Sequence, residues 1–308
     1  MTEEITPTKQ HTVSLVLGSG GARGLAHIGV IRWLEENGFI IKSISGCSIG
    51  ALIGGVYAAG KLDDFENWAR ALTKVDIVAL LDISWKKSGL VKGDKIIDAL
   101  IELVGDVAIE NLPLQYTAVA ADILNEKEVW MNSGRLFDAI RASISLPLFF
   151  TPFRYNNVDL IDGGVLNPVP IAPTFSDDTD LTIAVNLGGP IDRDEKIIKT
   201  DNFASTKKSP FGEKISDFVT SFKGDSAVKV RREWDAYDVA NQAFDAMQST
   251  IARQKLAAYP PDYFIEIARN TCGTLEFDLT AEMIDLGYKK AKESLSHVPS
   301  KTLDQSSA

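Results

Sequence analysis

The stretch Gly46-Cys47-Ser48-Ile49-Gly50 lies between two segments of different character. Residues 39–44 are strand-like, whereas residues 51–59 are apolar nearly all round, which predicts a helix buried in the centre of a domain. Glycines on both sides of a serine at such a junction permit the sharp turn that pushes the serine hydroxyl out at the carboxyl edge of a sheet. The stretch therefore predicts an α/β fold in which Ser48 is a candidate nucleophile and Gly46 and Gly50 shape its turn.

A glycine-rich loop precedes this turn. Residues 11–17 are strand-like and are followed by Gly18 and Ser19-Gly20-Gly21-Ala22-Arg23-Gly24, after which apolar residues recur at helical spacing. Glycines let a backbone approach a ligand closely, and the start of a helix presents unpaired N–H groups at the positive end of its dipole. Such a loop predicts a site for a phosphate or for the oxyanion of an acyl-transfer transition state.

A third motif supplies an acid. Asp162-Gly163-Gly164 follows a strand-like run at 158–161, so the carboxylate can lie in a loop at a strand end. A serine hydroxyl needs a base, and the sequence has three histidines. His11 begins the first strand, His297 adjoins the C-terminal tail, and His27 lies one turn into a helix, where a structural role is favoured. Histidine is therefore a poor candidate for the base.

The rest of the chain alternates in the same way. Helical patterns occur at 63–72, 94–103 and 135–142, and strand-like runs occur at 115–120 and 181–187. This order predicts a three-layer α/β/α sandwich with a mainly parallel central sheet. We expect a tail at 1–10, a single catalytic domain at 11–298 and a disordered tail at 299–308. A polar stretch at 191–234 predicts a mobile insertion, which we hypothesise gates the substrate groove.

Composition narrows the classes of function. The chain has 308 residues and a formal net charge of −10, which argues against binding nucleic acid because that role needs a basic surface. It also argues against strong attraction to anionic membranes, although a local patch can still make transient contact. No apolar run reaches the ~20 residues that span a bilayer, and two distant cysteines form no disulfide framework. We expect a cytoplasmic protein that is at most peripheral at membranes.

The three motifs, in this order, resemble the signature of the patatin-like phospholipase family: a glycine-rich loop, then G-x-S-x-G, then Asp-Gly-Gly. Ser19 stands where that family often has its first glycine. The stretch Arg141-Ala142-Ser143-Ile144-Ser145-Leu146-Pro147 looks like the family segment that precedes the aspartate strand, and Gly24-Leu25-Ala26-His27-Ile28-Gly29-Val30 is similar to the bacterial, neuropathy-target-esterase-like branch. The resemblance covers roughly residues 13–187.

The resemblance implies a serine lipid acyl hydrolase, which is a phospholipase, lysophospholipase or carboxylesterase. Ser48 and Asp162 would form a catalytic dyad that works through an acyl-enzyme, without a cofactor or a metal. Backbone N–H groups of Gly20, Gly21 and Ala22 would stabilise the oxyanion, and Arg23 would fix the loop. The partner is a lipid or fatty-acyl ester, whose chain needs an apolar groove. Candidates for that groove are Leu146, Leu148, Phe149, Phe150 and Phe153.

Three other interpretations remain open. A dinucleotide-binding oxidoreductase shares the glycine-rich loop, but it needs an acidic residue at the end of the second strand, which here ends in Gly46-Cys47-Ser48. An α/β-hydrolase with a Ser–Asp–His order would need His297. A catalytically silent regulatory or scaffolding member of the same fold is the third alternative, although neither Ser48 nor Asp162 is replaced.

Overall fold

The computed structural model describes residues 10–80, 91–192 and 236–298. Both predicted tails lie outside these ranges, apart from residue 10, and so does the predicted insertion from residue 193 onwards. The gating hypothesis for residues 191–234 therefore stays a prediction.

Within the described residues, eight strands form one mixed sheet. Its spatial order is β5-β6-β3-β2-β1-β7-β8, with β4 also paired to β3. The five strands β1, β2, β3, β7 and β8 run parallel, whereas β4, β5 and β6 pair in antiparallel fashion at one side. The strands are β1 Thr12–Leu17, β2 Ile40–Cys47, β3 Gln115–Asp122, β4 Lys127–Met131, β5 Phe153–Tyr155, β6 Val158–Asp162, β7 Leu181–Gly189 and β8 Tyr263–Ala268.

Helices cover both faces of this sheet. They are α1 Ala26–Glu36, α2 Ile49–Ala58, α3 Leu62–Ala71, α4 Lys74–Leu80, α5 Asp94–Val104, α6 Leu136–Ser143, α7 Ala236–Ala258 and α8 Thr280–Leu295. Successive strand residues point to opposite faces, and β1 divides accordingly. Leu15 and Leu17 belong to the main core with α1, α2 and α8, whereas Val16 packs with Ala252 of α7. The predicted three-layer α/β/α sandwich is therefore confirmed.

The sheet differs from its prediction in two respects. Strand β2 continues through Gly46 to Cys47, because that stretch pairs with β3 on one side and with β1 on the other. A strand buried on both faces loses the alternation by which strands are recognised. The short edge strands β4 and β5 were not predicted, because their few residues are mostly charged or half-exposed.

The register brings the three motifs to the same edge. Leu17, which ends β1, lies opposite Gly46 of β2. Cys47 lies opposite Val119 of β3, and the next residue of β3, Ala120, lies opposite Asp162 at the end of β6. The glycine-rich loop, Ser48 and Asp162 therefore meet at the carboxyl edge of the parallel strands, where α/β folds bind ligands.

Candidate active site

Ser48 occupies the tight turn between β2 and α2. Its backbone has φ 56° and ψ −123°, a conformation that costs a residue with a Cβ about 1–3 kcal/mol and that clusters at functional sites. The turn also needs Gly50, because a Cβ there would lie 2.1 Å from the Leu17 carbonyl oxygen. The strand–turn–helix geometry expected of a nucleophile elbow is therefore present at Ser48.

A buried serine holds this turn in place. The backbone N–H of Ser48 donates to Ser143 Oγ at 2.9 Å, and Ser143 Oγ in turn donates to the Val119 carbonyl at 2.6 Å. Ser143 is fully buried in α6. Sequence reasoning assigned it no role, since nothing local in the sequence indicates that α6 reaches the nucleophile turn.

The residues just after the carboxyl end of α6 hold the backbone of Asp162. The Asp162 backbone N–H donates to the Ser145 carbonyl at 3.0 Å. The Ser145 hydroxyl is fixed by Arg141, whose Nη1 lies 2.6 Å from Ser145 Oγ. Arg141 is itself buried, and its Nη2 donates to the Thr151 carbonyl at 3.1 Å. Residues 143–145 thus position the backbones of both members of the candidate pair.

The Asp162 carboxyl group is completely buried, and its two oxygens differ. Oδ1 accepts from the Gly164 N–H at 2.7 Å and from Cys47 Sγ at 3.8 Å. Oδ2 makes no hydrogen bond within the part of the chain that the structure describes. The Ser48 hydroxyl lies close enough to lower the pKa of the carboxyl group. Ser48 and Asp162 are therefore neighbours, and Oδ2 is the carboxyl oxygen without a partner among the described residues.

Burial controls the ionisation of Asp162. It raises the pKa of the carboxyl group to about 6, and the neighbouring Ser48 hydroxyl, Gly164 N–H and Cys47 thiol offset only part of that rise. Burial together with the nearby Asp162 charge also raises the pKa of the Cys47 thiol, so Cys47 stays a neutral donor. A base with a pKa just below neutral is ionised at pH 7 and is stronger than an exposed aspartate.

The glycine-rich loop is packed tightly rather than open. The Ser19 N–H donates to the Pro168 carbonyl at 2.8 Å, and the Ala22 N–H donates to the Thr274 carbonyl at 2.9 Å. The N–H of Ala22 is therefore already occupied, contrary to its expected role as an oxyanion donor. Gly20 and Gly21 have N–H groups without an acceptor among the described residues. Gly21 has φ +57°, and a Cβ there would lie 2.4 Å from the Thr274 carbonyl oxygen.

The side chains of His27 and Arg23 hold this loop through hydrogen bonds to backbone carbonyl groups. His27 is fully buried, and its Nε2 lies 2.9 Å from the Gly18 carbonyl oxygen, so that nitrogen carries the proton. Burial lowers the pKa of His27 to about 4, so the ring is neutral at pH 7. Arg23 is buried and donates to the carbonyls of Arg269 and Cys272 at 3.3 and 3.2 Å. His27 therefore supports the start of the loop at Gly18, and Arg23 connects the loop to the segment after β8.

The other two histidines lie at the opposite edge. His297 contacts the ring of Tyr263, the first residue of β8, with centroids 5.8 Å apart. His11 stacks on Phe39 just before β2. Both contacts are at the amino ends of parallel strands, away from Ser48, which disfavours a histidine-dependent hydrolase. Among residues 10–80, 91–192 and 236–298, no group of three or more His, Cys, Asp or Glu side chains could hold a metal ion.

The apolar groove candidates separate into different environments. Phe149 is buried against Val91 in a small cluster that also includes Leu146 and Phe150, and Phe153 packs on the main core. Leu148 alone among them is exposed, at 55%, and its φ is 68°. For most of these residues the structure therefore gives an ordinary packing role, and Leu148 remains the candidate for contact with an acyl chain.

A small cavity of mixed polar and apolar lining lies beside the glycine-rich loop, and sequence reasoning missed it. Its walls include Ser19 and Arg23 of the loop, Asn186 of β7 and the side chains of Asp245 and Gln248 from α7. Helix α7 is distant in sequence from the glycine-rich loop, so no local pattern indicates that it reaches this edge.

Comparison with known proteins decides the family. The family model described as patatin-like phospholipase matches residues 15–175. The chain belongs to the patatin-like phospholipase family. The matched residues include the glycine-rich loop, the Ser48 turn and Asp162, the three motifs that meet at the sheet edge.

Relatives place the chain in the branch of patatin-like proteins related to neuropathy target esterase (NTE). It is 39% identical to an uncharacterised NTE family protein of Mycobacterium tuberculosis, over 92% of this chain and 91% of that protein. It is 27% identical to the lysophospholipase NTE1 of Kluyveromyces lactis, over 94% of this chain but only 19% of that protein. A solved structure, VipD from Legionella pneumophila, aligns over 94% of this chain with a TM-score of 0.46 and 13% identity.

Removing the Ser143 hydroxyl is expected to loosen the Ser48 turn. Ser143→Ala leaves the buried Ser48 N–H without an acceptor, which costs about 1–3 kcal/mol. We expect kcat/KM for an ester to fall by about 10–100-fold, since 1.4 kcal/mol is a factor of ten. We also expect a lower melting temperature.

The matched control is Ser45→Ala. Ser45 is also buried on β2, but its Oγ makes no hydrogen bond within the described residues. Its removal should leave both activity and stability near wild type. Equal activities for the two variants would show that the Ser143 bond does not position the nucleophile.

Proposed function

We propose that this protein is a lipid acyl hydrolase in which Ser48 is the nucleophile and Asp162 is the general base. The observation that carries the proposal is the pairing of a strained, elbow-mounted Ser48 with a buried carboxyl group whose Oδ2 has no partner among the described residues. Membership of the patatin-like phospholipase family supports the coarser statement, that the protein hydrolyses acyl esters of lipids.

Acylation follows from this arrangement. Asp162 Oδ2 takes the proton of Ser48 Oγ as that oxygen attacks the ester carbonyl carbon. The N–H groups of Gly20 and Gly21, which have no acceptor among the described residues, supply donors for the oxyanion, and one such donor is worth about 10²–10³ in rate. Collapse of the tetrahedral intermediate breaks the C–O bond, and Asp162 returns the proton to the departing alcohol.

Deacylation repeats these steps with water. Asp162 takes a proton from water as the water oxygen attacks the Ser48 acyl ester. The new intermediate expels Ser48 Oγ, which regains the proton from Asp162 and releases the fatty acid. The same carboxylate therefore serves both halves of the reaction, and its raised pKa suits a group that must accept and return a proton.

The relatives suggest the first substrates to test. Several of them are named lysophospholipases, so a lysophospholipid and a medium-chain p-nitrophenyl ester are the appropriate pair. Both esters present a single acyl chain to Ser48. No helix among the described residues is long and apolar enough to cross a bilayer.

A labelling experiment tests the proposal directly. The wild-type protein is incubated with a fluorophosphonate in the presence of EDTA, and the modified peptide is identified by mass spectrometry. We expect a single adduct on Ser48 and hydrolysis of both esters under the same conditions. A protein that neither labels nor hydrolyses either ester would overturn the proposal and favour a scaffolding role.

The pH dependence of kcat/KM should follow the ionisation of the Asp162 carboxyl group. Because the base must be ionised, kcat/KM is expected to rise tenfold per pH unit in acid and to level off above a midpoint near pH 6, the raised pKa of the buried carboxyl group. An exposed aspartate would give a midpoint near 3.9. Initial rates on the p-nitrophenyl ester over pH 4–9 test this. A midpoint near 4 would mean that the base is not a buried carboxylate.

A further inference from the structure

One side of helix α7 makes three contacts with the rest of the protein near the carboxyl edge of the sheet. Lys255 Nζ pairs with Glu128 Oε1 of β4 at 2.7 Å, and Ala252 packs against the buried apolar cluster on that face. Gln248 Nε2 donates to Ser19 Oγ of the glycine-rich loop at 3.3 Å. Spacings of four and three residues put these side chains on the same side of a helix.

Gly164 shows how close this contact is to the reacting groups. A Cβ at Gly164 would lie 2.3 Å from Gln248 Nε2, 2.8 Å from Ser19 Oγ and 3.0 Å from Asp162 Oδ1. An amide, a hydroxyl and the carboxylate therefore converge on one small space. Only glycine leaves that space open, and the amide and the carboxylate are neighbours across it.

We propose that Gln248 is a positioning residue of the active site, which holds the glycine-rich loop through Ser19 beside the Asp162 carboxylate. This inference rests on the proposed function, because the loop matters to catalysis only if Ser48 and Asp162 do. Gln248 acts through Ser19, whose own N–H is bonded to the Pro168 carbonyl. Fixing both the backbone and the side chain of Ser19 fixes the start of the segment that presents the N–H groups of Gly20 and Gly21.

The ionisable groups around Gln248 and Asp162 come from β2, β4, α7, the glycine-rich loop and the segment after β8. Glu128 of β4 is paired with Lys255, and Cys47 of β2 is held neutral by burial and by Asp162 itself. Asp245, one turn before Gln248 on α7, is influenced by the positive charges of Arg23 and Arg269. A new negative charge at position 248 would therefore act on Asp162, although Arg23 and Arg269, which line the same cavity, would offset part of it.

Two variants of Gln248 distinguish the effect of losing its hydrogen bond to Ser19 from the effect of adding a negative charge beside Asp162. Gln248→Met keeps the length of the side chain but removes its hydrogen bond. We expect kcat to fall about tenfold with little change in KM. A tenfold change in rate corresponds to the net free energy of one hydrogen bond. Gln248→Glu can still accept a bond from the Ser19 hydroxyl, but it places a second carboxylate beside Asp162. A like charge raises a carboxyl pKa, so the acidic limb of kcat/KM should move up by about one pH unit.

Gln254 supplies the matched control, because it is an exposed glutamine on the same helix. Gln254→Met and Gln254→Glu should match wild type in kcat, in the pH profile and in melting temperature. Gln248 variants that behave like the Gln254 variants, in a protein whose Ser48→Ala variant is inactive, would overturn this inference alone. Full activity in Ser48→Ala would instead remove the proposed function on which the inference rests.

A double-mutant cycle gives an independent check. Because Gln248 is proposed to act through Ser19, Ser19→Ala should lower kcat by a similar factor. The combined Ser19→Ala and Gln248→Met variant should then be no worse than either single variant, since interacting residues are not additive. Additive losses would mean that Gln248 does not act through Ser19.

Discussion

Ser48→Ala is expected to abolish fluorophosphonate labelling and to lower kcat by about 10⁶-fold, the loss seen when a nucleophilic serine is removed from a hydrolase. The fold should survive, because alanine has the same Cβ in the same turn. Ser48→Gly should be equally inactive but more stable than Ser48→Ala by about 1 kcal/mol, since glycine adopts the positive φ of 56° without strain. Turnover of the p-nitrophenyl ester and thermal unfolding measure both effects.

Ser45→Ala is the control for this comparison, because Ser45 lies three residues earlier on the same strand and is also buried. It should label and turn over as the wild type does. Labelling of Ser48→Ala at the wild-type rate would show that another residue is the nucleophile.

Asp162→Asn is expected to lower kcat/KM by about 10⁴-fold, the upper end of what a general base contributes, while making the protein more stable at neutral pH. The asparagine keeps an oxygen to accept from the Gly164 N–H but carries no charge. Burial raises the carboxyl pKa to about 6, against 3.9 unfolded. Ionisation in the folded protein therefore costs about 3 kcal/mol, at about 1.4 kcal/mol per pKa unit.

The pH range of the stability gain follows from the sign of this shift. Because the folded pKa lies above the unfolded one, the penalty is absent below about pH 4, grows between pH 4 and 6, and is complete above pH 6. Denaturant unfolding of wild type and Asp162→Asn should therefore differ at pH 7.5 and converge at pH 4.

Asp159→Asn is the matched control on the same strand, since Asp159 is exposed and paired with Arg154. It should change stability little at either pH, because exposed ion pairs contribute little. A loss of stability in Asp162→Asn at pH 7.5 would contradict the cost assigned to the buried charge.

Much of the fold and the outline of the site could be predicted because their signals are local. Ser48 is flanked by glycines within two residues, and the helix, strand and loop patterns around it each occupy one continuous stretch. The order of these elements predicts a mainly parallel sheet, and parallel strands bring their carboxyl ends to one edge. That reasoning is enough to group Ser48 with the glycine-rich loop. Asp162 ends β6, which runs antiparallel to β3, so its place beside them depends on the register of that strand pair.

What could not be predicted depends on contacts between distant residues. Ser143 and Gln248 reach the site from helices 95 and 229 residues away from their hydrogen-bond partners, and nothing local in either helix indicates this. Ala22 was assigned as an oxyanion donor because it lies in the right loop, but its N–H is taken by Thr274, a residue far along the chain. Local motifs therefore supply the candidate reacting groups, and long-range packing decides which neighbours contact them.

The short segment 143–145 has a consequence for how this scaffold can diversify. It holds the backbones of Ser48 and Asp162 together, so their separation depends on one compact unit rather than on the surrounding loops. Helices α3 and α5 could then be lengthened, replaced or grafted from another protein without altering that separation, whereas α7 has to keep Gln248 in place beside Ser19. In such a scaffold, natural variation and directed evolution can change which ester is admitted while leaving the bond-breaking step intact.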